Sequence, residues 1–299
     1  MDRLQAMETF VAVAERGGFA AAARNLGQSP PAVTRAVAAL EERLGTRLFR
    51  RTTRSVHLTE SGERFLIDCR RLLQDLSEAE DAAVGTHSVP RGELRVTAPV
   101  LFGRLHVTPI LIDFLDRYPD VSARTLFVDR IVNLMDEGLD VAIRIGHLPD
   151  SSLTAIRVGS VRLVTFAAPD YLTTFGTPAQ PEDLTGHRTI QVSTLGHGSD
   201  WTYHRDSGTS AIPVASRLQM NTNDAVIEAV SRGWGVSRLL SYQVAPLVRE
   251  GRLTILLDQF EPPPLPIHIV HQEGRMVSAK LRAFADFMAE RLRTDTRLG

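Results

Sequence analysis

The sequence predicts three parts in order: an N-terminal α-helical domain, one long helix, and a C-terminal α/β domain of two lobes. Three observations carry this expectation. Up to Leu44, apolar residues recur at helical spacing, interrupted by Gly17-Gly18 and Gly27 and ended by Gly45. From Phe65 to Ala83 they alternate steps of four and three. Beyond Gly92, strand-like runs alternate with amphipathic stretches.

The first helix begins at Asp2, a plausible cap with Gln5 three residues on, and sets Leu4, Met7, Phe10, Val11 and Ala14 along one side. It stops at Gly17-Gly18, and Phe19 reads as a core anchor. A short Ala-rich helix turns at Gly27 into a third helix, with Ser29 as N-cap and Pro30 at the first helical position. Val33, Val37, Leu40 and Leu44 form its narrow apolar stripe. The opposite face holds Pro31, Arg35, Ala38 and Ala39, flanked by Thr34, with Ser29 and Ala32 at the helix start. It is small except for one long cation, so the helix can enter a major groove. Arg35 suits a guanine edge or a phosphate, and Thr34 a phosphate or a thymine methyl. A partner-binding helix with a solvated Arg is the alternative.

The flanking residues favour DNA. From Arg43 to His57 there is no acid, and Thr52-Thr53-Arg54-Ser55 reads as the turn of a short hairpin wing. Arg50, Arg51, Arg54 and His57 are its expected phosphate contacts, with Arg47 just before them. Double-stranded DNA is therefore the first expected partner. The whole chain, with a formal net charge of -1, is no general polyanion binder, so its basicity is local. Nearly every cation is Arg, Lys280 being the only lysine, a coding bias to which no function is attached.

Thr59 caps the long helix, with Glu60 and Glu63 in its first turn. Phe65, Cys69, Leu72 and Leu76, continued by Ala79 and Ala83 and broadened by Leu66 and Leu73, give the rhythm of a two-stranded coil. Dimerisation is the expected role, since two half-sites need two reading heads. Packing on its own C-terminal domain is the alternative. Cys69 reads as packing rather than as a redox sensor. The helix fades at Gly85 into a linker through Pro90 and Gly92.

The C-terminal part opens with strand Glu93–Ala98, helix Val100–Tyr118, strand Val121–Val128, helix Ile131–Glu137 and strand Asp140–Ile145. A second cycle has strands at Val161–Phe166, Thr189–Ser193, Trp201–Arg205 and Arg217–Met220, then helix Asp224–Arg232, strand Val236–Leu240 and helix Tyr242–Arg249. Strand Pro266–Val270 and helix Ser278–Arg293 close the chain, after the stiff Pro262-Pro263-Pro264 connector. The alternation predicts a mostly parallel sheet with helices on its faces.

The segment LGQSPPAVTRAVAALEERLGTRLFRRTTRSVHLTESG resembles the winged helix-turn-helix of LysR-type transcriptional regulators. Pro30 stands where many members carry Gln, so a base contact by that Gln is not carried over. The segments LRVTAPVLFGRLHVTPILIDFLDRYPDV, GLDVAIRIGHLPDSSL and EPPPLPIHIVHQEGR look like the family's effector domain, which resembles periplasmic solute-binding proteins. The division read this way is a DNA-binding domain at 1–58, a linker helix and hinge at 59–91, and an effector-binding domain at 92–299. Lobe I covers about 92–162 and 266–299, and lobe II about 163–265. A cleft ligand would meet Thr97, Pro99, Phe102, Arg144, Gly146, Thr222, Asn223 and Ser237. Arg144 and the free N–H groups at helix starts suit a small anionic effector. A structural salt bridge is the alternative for Arg144. The resemblance further implies a homodimer or a tetramer of two dimers, with RNA polymerase as a further candidate partner.

Catalysis is not expected. His268 and His271, three apart on a strand, project to opposite faces, and the loop His197-Gly198-Ser199-Asp200 lacks triad geometry. No cofactor or metal is called for. Without an apolar leader or a bilayer-length run, a cytoplasmic protein with no membrane partner is expected. The function read from the sequence is thus a ligand-responsive DNA-binding regulator. Its rivals are a constitutive DNA binder without effector and, more remotely, a cytoplasmic small-molecule-binding protein or enzyme.

Overall fold

The structure, a computed structural model, describes residues 2–51, 56–84, 89–149, 153–193, 200–205, 208–272, 278–295 and 298. It forms two compact units: Met1–Val89 with Val132–Leu139 and Gly274–Ala279, and Pro90–Ile131 with Asp140–Glu273 and Lys280–Gly299.

In the first unit, α1 (Arg3–Arg16), α2 (Phe19–Leu26) and α3 (Pro30–Leu44) precede strands β1 (Phe49–Arg51) and β2 (Val56–Leu58) and the long helix α4 (Glu60–Val84). The Asp2 carboxylate accepts the Leu4 amide at 3.2 Å, and the Ser29 hydroxyl accepts the Ala32 amide at 3.4 Å. Gly17, Gly27 and Gly45 end the three helices in the left-handed conformation. Phe10 organises the core, its ring 5.2 Å from Phe49 and 5.5 Å from Phe65, over a floor of Val13, Ala22, Val33 and Val37. Gly62 is required where α4 starts, because a Cβ there would lie 2.1 Å from the Leu48 carbonyl oxygen.

Two residues assigned to apolar stripes, Leu4 and Leu44, are exposed. Glu41, four residues after Val37, takes the buried place on α3 instead. The seam expected along α4 also divides. Phe65, Leu66, Cys69 and Leu73 pack into the N-terminal core, and the Arg70–Glu15 ion pair at 3.0 Å fastens α4 to α1. Cys69 is fully enclosed, so it has no surface to offer a second chain, and Phe65 is committed to the Phe10 ring. Both side chains thus contribute to the N-terminal core, Phe65 half-buried at its edge. Leu72 remains 44% exposed and Leu76 half-buried. Segment Val132–Leu139 forms turns rather than the expected helix. The Asn133 side chain accepts the Met135 amide at 3.0 Å, a local bond that competes with helical pairing, and Gly138 has a φ of 61°.

In the second unit, β3 (Gly92–Ala98) leads into one helical rod: α5 (Val100–Phe102), a π-helical turn at Gly103–Val107, and α6 (Thr108–Arg117). Pro109 explains the widened turn, since it has no N–H to donate and its ring would strike the carbonyl of Leu105. Strands β4 (Val121–Phe127), β5 (Val141–Ile145) and β6 (Leu153–Val161) follow. Lobe II comprises β7 (Leu163–Ala167), α7 (Pro169–Phe175), β8 (Ile190–Val192), β9 (Asp200–Arg205), β10 (Gly208–Pro213), β11 (Leu218–Met220), α8 (Asn223–Ser231), β12 (Val236–Leu240), α9 (Ser241–Arg249) and β13 (Thr254–Leu256). The chain then returns to lobe I through β14 (Leu265–Gln272) and α10 (Ala279–Arg293).

Lobe I is built on a sheet in the order β4-β3-β5-β14-β6, where β3 runs parallel to β4 and β5 but β14 runs antiparallel to β5 and β6. In lobe II, β12-β7-β13 is antiparallel and β8-β11 parallel. The sheets are therefore mixed rather than mostly parallel, because strands that cross between lobes re-enter in the reverse direction. Helices α6 and α10 pack together through Phe114 and Phe284, ring centroids 5.1 Å apart.

Candidate nucleic-acid interface and ligand cleft

On α3 the apolar stripe fixes what faces outward. With Val33, Ala36, Val37 and Leu40 buried, Pro31, Arg35, Ala38 and Ala39 are exposed, and Ala32 and Thr34 are half-buried at the flank. Ser29 is spent as the cap. The hairpin pairs Arg50 with His57, so these two exposed side chains stand together on one face of the ribbon. Arg51 lies on β1, but its side chain is outside the described set, as is all of Arg54.

Glu41 joins helix to wing, a link the sequence reading missed. Its Oε1 accepts the amides of Leu48 and Phe49 at 2.8 and 3.1 Å, and its Oε2 pairs with Arg47 at 3.0 Å. Burial alone would raise its pKa, but the two amides and Arg47 outweigh it and hold the carboxyl below its ordinary value. An acid on the buried side of α3, four residues from Val37, was the available signal. Arg47, assigned to the basic footprint, is thus also a partner of this carboxylate.

In the second unit the two lobes are joined by Arg162, between β6 and β7, and by Glu261–Pro264 before β14. The Arg162 guanidinium meets the Glu261 carboxylate at 3.2 Å, so one ion pair ties the crossings together. Burial raises the Glu261 pKa, and Arg162 opposes that shift. At the lobe boundary Phe102 lies 4.7 Å from the His106 ring and 5.3 Å from Tyr242 of α9. Arg104 and Asp224 form an exposed ion pair at 3.3 Å between the rod and the first turn of α8.

Three of the residues expected to meet a ligand are occupied within the protein. The Thr97 hydroxyl donates to the Leu126 carbonyl at 2.6 Å, the Ser237 hydroxyl to the Ile190 carbonyl at 2.8 Å, and Phe102 is fully buried in its aromatic cluster. The two hydroxyls thus stitch neighbouring strands. Pro99 precedes α5, Thr222 is the exposed N-cap of α8, and Asn223 is its first residue. Arg144 and Gly146 lie at the end of β5, where the Gly146 amide donates to the Pro266 carbonyl at 2.9 Å with a φ of 123°. Arg144 is half-buried, and burial lowers its pKa.

Among the described residues, no helix is long and apolar enough to cross a membrane, and no cluster of three or more His, Cys, Asp or Glu is placed to hold a metal. The His197-Gly198-Ser199 loop lies outside the described residues.

Residues 4–63 match the bacterial regulatory helix-turn-helix protein, lysR family, and residues 87–293 match the LysR substrate binding domain. An HTH-type transcriptional regulator of Xanthomonas campestris is 36% identical over 96% of this chain and 84% of its own length. The structure of CrgA, a LysR-type transcriptional regulator from Neisseria meningitidis, is 30% identical, with a TM-score of 0.63 over 96% of this chain and 98% of that one. Full-length AphB, a Vibrio cholerae virulence activator, is 27% identical, with a TM-score of 0.63 over 97% and 99% of the two chains. With both halves matched and its helix-turn-helix carrying an open basic face, this chain belongs to the LysR family of DNA-binding transcriptional regulators, with an N-terminal helix-turn-helix and a C-terminal effector-binding domain.

Proposed function

We propose that α3 enters the major groove with Arg35 on a guanine edge or phosphate and Thr34 beside it, while Arg50, Arg51, Arg54 and His57 grip the sugar-phosphate backbone. The observation that carries this reading is the sorting of α3: its apolar side is consumed by the core, and its outward side is small apart from Arg35. Arg50→Ala is expected to weaken binding to unrelated DNA sequences equally and to reduce the slope of log K against log salt by about 0.9, one phosphate contact. An unchanged slope, measured by fluorescence anisotropy, removes Arg50 from the footprint.

The chain acts as a homodimer through the exposed stripe of α4, which leaves a tetramer and contact with RNA polymerase as further steps. Leu72→Arg is expected to turn dimers into monomers in light scattering, because it places a charge in an apolar seam without touching the N-terminal core. A fully dimeric variant assigns self-association elsewhere. The effector is a small anion at the lobe boundary, met by Arg144 and by the starts of α5 and α8 at Pro99, Thr222 and Asn223. A ligand that prefers one lobe spacing shifts the protein toward that state. The protein works in the cytoplasm and performs no catalysis.

A further inference from the structure

Three adjacent strands of lobe I place basic side chains in one row. His268 on β14 is the partner of Arg144 on β5 and, on its other side, of Arg157 on β6. The second pairing depends on an irregularity: between Ile267 and His268 the register with β6 shifts, so that Ile267 faces Gly159 while His268 faces Arg157, skipping Val158. Without that bulge His268 would oppose buried Val158. Ile267 lies on the face that packs near Leu298, so alternation sends His268 and its two partners to the other face. Arg144 and His268 are half-buried there, and Arg157 is exposed on the edge strand.

We propose that this row is a binding site for a small oxyanion, a phosphate or a carboxylate, held by Arg144, His268 and Arg157 on the face of the lobe I sheet. Arg144 and Arg157 stand on either side of His268, one strand away each, so an anion over the middle strand lies between two guanidinium groups. Burial lowers the His268 pKa, and the charges of Arg157 and His147 lower it further. The His268 Nδ1 is buried with no hydrogen-bond partner among the described residues. A proton there would lack an acceptor, so the neutral ring carries it on Nε2, which then serves as a donor. Arginine forks on both sides supply the paired N–H groups that fit a planar or tetrahedral oxyanion. The site deepens the reading of Arg144 as an effector contact but does not use Thr222 or Asn223, so the two locations are separable.

The test is calorimetric titration of the full-length protein with inorganic phosphate and, separately, succinate, at an ionic strength fixed with chloride. Saturable binding of one anion per chain is expected, and the tighter anion identifies the ligand type. Arg157→Ala and His268→Ala should each weaken it about tenfold, the loss of one charge-assisted bond. Arg282→Ala, at an exposed cation on α10, should leave it unchanged. No saturable heat with either anion overturns the proposal, as does binding that survives both variants. Loss on Asn223→Ala with Arg157→Ala silent moves the anion to the lobe boundary and also overturns it.

Discussion

Glu41→Ala should destabilise the N-terminal unit by about 2–6 kcal/mol, one to three for each of the two amides it orphans. The Leu48 and Phe49 amides share one oxygen of a side chain that is 3% exposed, so water cannot replace it without opening the core. Because Phe49 begins β1, the same loss frees the wing from α3, and DNA affinity should fall with stability. Glu41→Gln separates the contributions. An amide oxygen in the Oε1 position still accepts both N–H groups, and the forfeited bond is to Arg47, whose side chain is 77% exposed and therefore weakly held. The Gln variant should melt far closer to the wild type than the Ala variant. The carboxylate also sets a pH signature. Its folded pKa is below the unfolded value of about 4.3, so its contribution is present above that value and is lost as pH falls through the folded pKa. Thermal melts of Glu41→Gln should lack that acid-side component. Equal melts for the wild type and Glu41→Ala would show that the wing is held by something else.

The second large effect is expected at the only lysine. Lys280, 9% exposed at the start of α10, acts on Asp140 before β5 and on Glu93 of β3. The Asp140 carboxylate accepts the Arg95 amide at 2.8 Å. Burial nevertheless raises its pKa, with Lys280 the largest opposing influence. Burial would raise Glu93 too, but Arg95, Arg124 and Lys280 bring it below its ordinary value. Lys280→Met leaves Asp140 without its main counter-charge and should cost about 3 kcal/mol. That corresponds to a fall in Tm of about 6–12 °C for a unit of this size. The sign with pH follows from the raised Asp140 pKa. The penalty exists where Asp140 is ionised and shrinks as falling pH protonates it, so wild-type and variant melts should converge toward acid. Parallel melts across pH would exclude Asp140 as the group relieved. Frequency of Arg over Lys says nothing of this, since the role belongs to one position.

Local signals made much of the N-terminal unit legible. Ser29, Gly27 and Gly45 bound α3 by the chemistry of caps, and the small outward face follows once the stripe is assigned. Along α4 the same spacing suits an intrachain core and an exposed stripe alike, so sequence alone could not separate buried Cys69 from exposed Leu72. Further along, Asn133 and Pro109 redirect the backbone through one side-chain bond and one missing donor, where apolar spacing had suggested plain helix. Strand β6 escaped notice because its alternation is broken by Gly159 and by the bulge beside it. Thr97 and Ser237 are polar residues at strand ends, a pattern shared by ligand contacts and inter-strand stitches. Only the acceptors across the sheet distinguish them.

The central claim is that the outward face of α3 reads DNA, in a dimer. Footprinting on the DNA flanking the protein's own gene tests it most directly. The wild type should protect two half-sites centred about 10 base pairs apart or a multiple of that. Arg35→Ala, exposed and outside the core, should fold normally and lose that protection. An undiminished footprint with Arg35→Ala would contradict the account.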